Sequence, residues 1–418
     1  MKRRYAMGSF LAGAAAARAG DEMSGPALLL AGYAVGGSAT EASALLAGIT
    51  VSAAVGGPLL GALLDRSPRP GRLLARALAL YGTGLVLILL SLGRLPLQLT
   101  VLIAVFTGLL GPALSGGWTA QLPRVVPRER MPRANALDAM TFSLASLVGP
   151  ALAGVLAHLL GAPAAVVASA ALIACALPAA WTLPTGGGED RRRGRDKAPP
   201  TAPAPLTADL AAGIRAIIRT RPLARATLAS VVSCMGLGML ITCTPLLGER
   251  AFGSAAEGTL LLTCTAVSAL AANAVLARRP RTIAPDTIIW SSTLLLAAAL
   301  VLSATGHPVL VVVAALTTGV AEGPQLAALL AIRHRESPER LRSQVFTTGA
   351  SLKITGFRPR RGRRGPARDA LAAHRAPDGR GGSTRRGPEL PRVRSRPGEQ
   401  SFSPVVMSSD LRCVTRLV

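Results

Sequence analysis

Long apolar stretches separated by short polar segments dominate the first 357 of the 418 residues. The hydrocarbon core of a bilayer is about 30 Å thick, so a spanning helix needs roughly 20 mostly apolar residues. By this rule the pattern predicts ten complete transmembrane helices and the start of an eleventh. They cover residues 11–35, 42–64, 73–92, 96–118, 136–160, 163–183, 228–247, 258–277, 287–304 and 309–332. The predicted fold class is an all-α integral membrane protein.

The segments that connect these helices alternate in charge. Every second connection is rich in arginine, whereas the connections between them are short and nearly free of positive charge. Arginine and lysine near helix ends are retained on the cytoplasmic side of a membrane. The alternation therefore predicts a multi-pass protein of the cell membrane with a cytoplasmic N-terminus.

The net charge of +25 would in a soluble protein indicate a nucleic-acid partner. Here the positive residues lie between the apolar runs and not on one face, so no nucleic acid is expected.

A polar segment divides the chain into two halves. Residues 184–205 are rich in Gly, Pro and charged residues and predict a flexible cytoplasmic linker. We expect a six-helix bundle at 1–183, a linker region at 184–222, an incomplete helical bundle at 223–357 and an arginine-rich tail at 358–418. Within the linker region, apolar residues share one helical face opposite Arg215 and Arg219; they are Leu206, Leu210, Ile214, Ile217 and Ile218. This pattern fits a helix on an anionic leaflet, or an extension of the seventh membrane helix.

The two halves also repeat each other weakly. Residues 107–112, TGLLGP, parallel residues 318–324, TGVAEGP, and an arginine-rich loop follows each of them. Many transporters are built from duplicated bundles related by an axis along the membrane normal. The repeat therefore favours a two-bundle transporter.

Six helices, a basic central loop and a second set of helices resemble the major facilitator superfamily. After the second predicted helix, GALLDRSPRPGRL is similar to the loop motif of that family, although Pro68 and Pro70 depart from it. The resemblance implies a conformational gate made by Gly61, Asp65, Arg66, Arg69 and Arg72. We expect Asp65 to pair with cationic residues and release them when the bundles rock. An ordinary solvated loop is the alternative.

The fifth predicted helix contains ASLVGPALAG, which looks like an exporter-associated motif of the same family. Gly149, Pro150 and Gly154 match the motif, whereas Ala145 and Ala153 stand where it has glycines. Small residues allow close helix approach and proline bends a helix. The three matching residues are therefore expected to serve helix packing, and the resemblance implies export.

Ionisable residues at bilayer depth usually face the interior of a bundle and mark ion or substrate paths. Arg18, Asp21 and Glu22 lie in the first predicted helix. Arg18 and Glu22 are four residues apart, so we expect them to neutralise each other. Asp21 is then the candidate that binds and releases a proton. The alternative is a charge cluster at a helix end.

The tenth predicted helix supplies a second candidate, Glu322, which Gln325 is expected to support. Asp138 and Asn273 also lie in predicted helices, and we interpret both as structural polar contacts. These residues predict proton-coupled transport of a small molecule, with export implied by the family resemblance.

Enzyme chemistry finds no support in the sequence. There is no glycine-rich phosphate loop, no nucleophile elbow and no cysteine or histidine spacing typical of a metal site, so no cofactor or metal is expected. The expected partners are a small-molecule substrate, a proton and the lipid bilayer, and we expect a monomer. The alternative function is a non-transporting membrane protein whose basic tail binds anionic lipid or nucleic acid.

Residues 358–418 break the pattern, since they contain 15 arginines and no lysine. GC-rich codons for Ala, Gly and Val yield codons for Arg, Gly, Pro and Ala when they are translated in a reading frame shifted by one base. We hypothesise that the tail is out-of-frame translation, that two further helices are missing and that the product is a defective transporter. A genuine basic arm is the alternative.

Overall fold

The structure is a computed structural model that describes residues 2–184, 206–279 and 283–356. Within these ranges it is almost entirely helical and contains no strand, so the predicted all-α class is confirmed. The predicted linker from residue 185 to 205 and the tail from residue 358 lie outside the described ranges.

The first half of the chain forms one helical bundle. Its helices are α1 Lys2–Gly36, α2 Ala39–Arg66, α3 Pro70–Ser91, α4 Leu97–Gly108, α5 Gly116–Thr119, α6 Met131–Leu160, α7 Ala162–Cys175 and α8 Leu177–Trp181. Helix α1 lies at the centre and packs against α2, α6 and α7. The bundle therefore surrounds the one helix that carries three charged residues in its middle.

The fourth predicted helix is not continuous. It is divided into α4 and α5 by a short 3₁₀ turn at Gly111–Ala113. Pro112 has no N–H to donate to the preceding turn, and its ring clashes with the carbonyl four residues earlier. The break turns the chain so that α5 can approach the second bundle.

The second half contains α9 Leu206–Arg219, α10 Arg221–Phe252, α11 Gly258–Arg278, α12 Pro285–Ala304, α13 Pro308–Glu336 and α14 Arg342–Gly356. Helix α13 packs against α10, α11 and α12. The amphipathic segment is a separate helix, α9, because Thr220 adopts an extended conformation between it and α10. Ile217 of α9 is buried against the protein, whereas Ile214 and Ile218 are exposed.

Nine of the helical stretches in the described ranges are long and apolar enough to cross a membrane. The first of the ten predicted spans, α1, is not among them, although it is 35 residues long. Arg18, Asp21 and Glu22 lower its mean hydropathy. A membrane helix that carries three charges needs partners for them inside the protein.

The two bundles meet mainly along three pairs of helices. Helix α2 of the first bundle packs against α14 of the second, and α6 packs against α11 and α13. Among the described residues most arginines lie at one end of the helices, including Arg66, Arg128 and Arg335, and we call this end the basic end. The candidate functional residues lie between the bundles and at this end.

Candidate functional site

A cavity of about 690 Å³ lies between the two bundles. Asp21 and Glu22 reach it from α1, Glu322 from α13 and Lys353 from α14. Most other lining residues are aliphatic or small. A cavity of this size suits a small molecule and offers it a few charged groups in an apolar wall.

Asp21 is held in place by hydroxyl groups of the first bundle. The Tyr81 hydroxyl donates to its Oδ1 at 2.8 Å, and Ser24 Oγ lies 3.2 Å from the same hydroxyl. Ser24 also donates to the backbone oxygen of Asp21 at 2.6 Å. Tyr81 and Ser24 are both buried, so one side of Asp21 is fixed while the other faces the cavity.

Glu22 is exposed to the cavity and does not pair with Arg18, in contrast to the expectation from their spacing. Gly149 of α6 lies directly against it, since a Cβ atom at position 149 would be 2.7 Å from the Glu22 Cβ. Pro150 also lines the cavity. Gly154 has open space beside it and makes no close helix contact, so the packing role expected for it is wrong.

Arg18 pairs with Asp138 of α6 instead. Its guanidinium donates to Asp138 Oδ1 at 2.9 Å and to Oδ2 at 3.3 Å, and both side chains are buried. The hydroxyls of Thr119 and Thr141 complete the network, and Arg18 lies 3.6 Å from the centre of the Phe142 ring. Two parallel hydrogen bonds inside the bundle outweigh a pairing along the helix surface. Asp138, interpreted from the sequence as a structural contact, is thus the counterion of Arg18.

Glu322 lies half-buried on the opposite wall of the cavity. Gln325 is buried and donates to Ser233 of α10 at 2.9 Å and to Thr293 of α12 at 3.1 Å. Its amide therefore joins helices of the second bundle and does not support Glu322 in the way the sequence suggested.

Asp65 lies at the end of α2 on the boundary between the bundles. It accepts hydrogen bonds of 2.9 Å from the backbone N–H groups of Ser343 and Gln344, in the first turn of α14. The positive end of a helix thus binds Asp65, and the Arg342 side chain adds electrostatic attraction. Release of these contacts when the bundles rock stays a prediction. Gly61 permits this contact, because a Cβ atom there would overlap the backbone of Gln344.

The arginines of the loop motif have separate neighbours. Arg66 Nε donates to Asp209 of α9 at 2.6 Å, and Arg72 lies over the Trp181 ring at 5.4 Å. Arg69 is exposed at the start of α3. Of the five motif residues, Gly61, Asp65 and Arg66 thus contact described segments that follow the linker.

A second set of contacts joins the two bundles at the basic end. The sequence pattern did not predict these contacts. His334 Nε2 of α13 donates to the backbone oxygen of Thr119 at 3.2 Å, and the His334 and Phe346 rings lie 4.5 Å apart. Gln121 Nε2 reaches Ser343 Oγ at 3.4 Å. The break between α4 and α5 is the signal that could have found this set, because it brings Thr119 to the interface. Thr119 also binds Arg18 through its hydroxyl, so it joins the buried ion pair to the bundle boundary.

The comparison with known sequences gives one family and one short curated match. A sequence model of the family described as Major Facilitator Superfamily matches residues 10–352. An uncharacterized MFS-type transporter, y4rN, from Sinorhizobium fredii (strain NBRC 101917 / NGR234) is 43% identical over 74 residues. This alignment covers 18% of the present chain and 18% of that relative.

Solved structures resemble the fold over most of its length. The human organic anion transporter MFSD10 (TETRAN) aligns with a TM-score of 0.66 and 16% identity, covering 85% of this chain and 92% of that one. The proton:xylose symporter XylE, bound to 6-bromo-6-deoxy-D-glucose, aligns with a TM-score of 0.63 and 11% identity, covering 84% of this chain and 86% of that one. A bacterial homologue of the iron transporter ferroportin, in an outward-facing state, aligns with a TM-score of 0.64 and 15% identity, covering 84% of this chain and 89% of that one. At these identities the likeness concerns the fold alone.

Proposed function

This chain belongs to the major facilitator superfamily of membrane transporters, and from that premise we propose that it exports a small molecule in exchange for protons. The proposed mechanism is alternating access, in which the two bundles rock about the central cavity. Asp21 is the proposed proton carrier, and the residues around it support that role.

The position of Asp21 is the observation that carries the proposal. A carboxylate in a low-dielectric cavity is costly in its charged form, so it readily exchanges a proton with whichever side is open. Tyr81 fixes the carboxylate by donating to one oxygen and leaves the other side toward the cavity. Arg18, the nearest cation along α1, is occupied by Asp138 and does not hold Asp21 in its charged form.

The contacts at the basic end support an access route from the opposite end. Asp65 and His334 both join the two bundles at the basic end. The cavity lining includes Leu247, Leu261 and Val311. These residues lie near the ends of α10, α11 and α13 that are opposite the basic end. If the basic end is cytoplasmic, as the distribution of arginine favours, this arrangement is an outward-facing state. The likeness of residues 145–154 to an exporter motif supports the export direction.

Transport in reconstituted vesicles tests the proposal, both in the present chain and, because the out-of-frame hypothesis makes that chain defective, in a chain with the frame restored after residue 357. A panel of neutral, anionic and cationic small molecules is offered with and without an imposed proton gradient. We expect Asp21→Asn to abolish the effect of the gradient while exchange of the substrate persists. Glu257→Gln is the matched control, because Glu257 is exposed in a connection between α10 and α11. If Asp21→Asn responds to the gradient as fully as the control does, Asp21 is not the proton carrier.

The orientation and the tail are further parts of the proposal. We infer a cytoplasmic N-terminus in the cell membrane, which the labelling of single cysteines in successive connections from each side of the membrane will test. Sequencing the gene downstream of codon 357 tests the out-of-frame hypothesis. An alternative frame that encodes two apolar helices is the expected result, and its absence from both alternative frames would rule the hypothesis out.

A further inference from the structure

We propose that the central cavity binds an organic cation with an apolar body, and that Glu22 and Glu322 are the carboxylates that bind it. The inference rests on the proposed function, since it assigns a substrate class to the same cavity. It also assigns different roles to two neighbouring residues of α1: Asp21 binds the proton and Glu22 binds the substrate.

The charges that face the cavity favour a cationic ligand. Asp21, Glu22 and Glu322 contribute three carboxylates, whereas Lys353 contributes one ammonium group. Arg18 lies behind the wall in the buried ion pair with Asp138 and adds no net charge to the cavity. Among the described residues, neither Glu22 nor Glu322 takes part in an ion pair within 4.0 Å. An acidic cavity with low-dielectric walls concentrates cations and repels anions.

The surroundings of the two neighbouring acids support different roles for them. Asp21 is half-buried and accepts a hydrogen bond from Tyr81, so its carboxylate has a fixed position. Glu22 is exposed, and its longer side chain lies in the cavity beside the Ser146 hydroxyl, with which it forms a hydrogen bond. Glu322 faces the same space from α13, so a cation bound by both glutamates would connect the two bundles. Such a ligand would shift the equilibrium between the conformations in which the two bundles are packed differently against each other.

The rest of the wall indicates the body of the ligand. Leu237, Leu240, Ile241 and Leu326 line the cavity and supply aliphatic surface. Phe142 is the aromatic residue of the lining, and the Arg18 guanidinium already lies over one face of its ring, 3.6 Å from the centre, so that its positive charge disfavours a second cation on the other face. A ligand cation therefore gains little from cation–π contacts here, and carboxylates must recognise its charge. The ligand class is a lipophilic ammonium or phosphonium ion.

Lys353 provides a built-in competitor for such a ligand. It faces the central cavity together with Glu322, and the two also line a small adjoining pocket. In the empty cavity its ammonium group is the counter-charge to the carboxylates. Removing this charge while keeping an apolar side chain should strengthen the binding of cations and weaken that of anions.

Equilibrium binding to the full chain in detergent tests the inference with two probes of the same shape. Radiolabelled tetraphenylphosphonium carries a positive charge, and tetraphenylborate is its anionic counterpart. We expect the phosphonium to bind in preference to the borate, with Glu22→Gln and Glu322→Gln each weakening its affinity by about tenfold or more. Lys353→Met should raise the affinity, whereas the control Glu257→Gln should leave it unchanged.

Three results would overturn the inference. These are equal binding of the two probes, preference for the borate, and phosphonium binding that neither glutamine substitution weakens. Unfolding temperatures identify a variant that fails to fold. In that case Glu22→Asp and Glu322→Asp, which keep the charge and shorten its reach, replace the glutamine variants. Each should weaken phosphonium binding relative to the wild type, and an unchanged affinity in both would overturn the inference.

The binding assay needs no proton gradient, so its outcome is separate from that of the transport assay. If phosphonium fails to bind while another molecule is transported in a gradient-dependent way, only the substrate class is wrong. If phosphonium binds as expected but no molecule responds to a gradient, the proposed proton coupling is wrong and the cation site stands.

Discussion

The cores of the two bundles are built differently. Buried apolar residues of the first bundle form one continuous cluster that runs from Phe10 in α1 to Leu183 after α8. In the second bundle the buried apolar residues divide into smaller clusters, one around Leu223 and Ile332 and another around Leu261 and Val311. The first bundle is therefore the more completely closed of the two within the described residues.

The position of α7 explains part of the difference. Helix α7 packs against α1 and α3, the first and third helices of its bundle. The first and third membrane helices of the second bundle, α10 and α12, have no described helix in the place of α7, and they present exposed apolar side chains; these include Leu228, Val232, Met235, Met239, Trp290 and Leu294. Helix α7 thus helps to cover α1, which carries the buried ion pair.

The polar networks inside the bundles follow the same division. The first bundle buries an arginine and an aspartate that neutralise each other. The second bundle joins its helices through the neutral amide of Gln325 and the hydroxyls of Ser233 and Thr293. Removing the partner of a buried charged group costs far more folding free energy than removing the partner of a buried neutral group. The comparison thus predicts how strongly each bundle depends on its network.

Breaking the ion pair of the first bundle should have the largest effect. Asp138→Ala leaves Arg18 charged and buried without its counterion, which costs about 3–5 kcal/mol of stability. We expect a marked fall in the unfolding temperature of the protein in detergent. The double variant Arg18→Met, Asp138→Leu removes both charges and should recover most of the loss. An Asp138→Ala protein that unfolds at the wild-type temperature would contradict the assigned pairing.

Close approach of α1 and α6 should be the next most sensitive feature. Gly149→Ala places a methyl group against Glu22 and the backbone of Met23, and overpacking of this kind costs about 1–3 kcal/mol. Gly154→Ala is the matched control, because nothing lies within 4 Å of the added methyl group. Unfolding temperatures of the two variants measure the difference. Equal temperatures would show that the helices do not meet at Gly149.

Loss of the neutral network in the second bundle should have the smallest effect. Gln325→Leu removes two hydrogen bonds, but the Thr293 hydroxyl still donates to the backbone oxygen of Ile289 at 2.9 Å. We therefore expect a cost of only about 1 kcal/mol. Gln98→Leu makes the same change at an exposed position of α4 and controls for added hydrophobicity. A loss as large as that of Asp138→Ala would remove the contrast between the bundles.

Much of the fold follows from local pattern, whereas the partners at the site do not. Runs of about 20 apolar residues predict membrane helices because the bilayer imposes their length. The partners of Arg18 and Asp65 depend on packing between helices that are distant in the sequence. Arg18 meets Asp138 across 120 residues, and Asp65 meets the backbone of Ser343 across 278. A backbone N–H at a helix end also carries no signature in the sequence, so the partner of Asp65 was predicted to be a side chain.

The break in the fourth helix shows the same limit on a smaller scale. Its apolar run is long enough for a continuous helix, yet Pro112 and the glycines around it end α4 at Gly108. Hydropathy measures the cost of leaving water and is insensitive to a missing N–H. The interface contact of Thr119 depends on this break and could not be predicted from hydropathy.

Distances between the bundles at both ends test the proposed alternating access most directly. In a variant without the five native cysteines, spin labels are placed at exposed positions. One pair, at Arg69 and Arg340, spans the basic end, and a second pair, at Arg94 and His307, spans the opposite end. When the pH is changed from acidic to alkaline, the account predicts that one distance lengthens while the other shortens, and that Asp21→Asn abolishes the change. Distances that stay constant, or that change in the same direction at both ends, would contradict it.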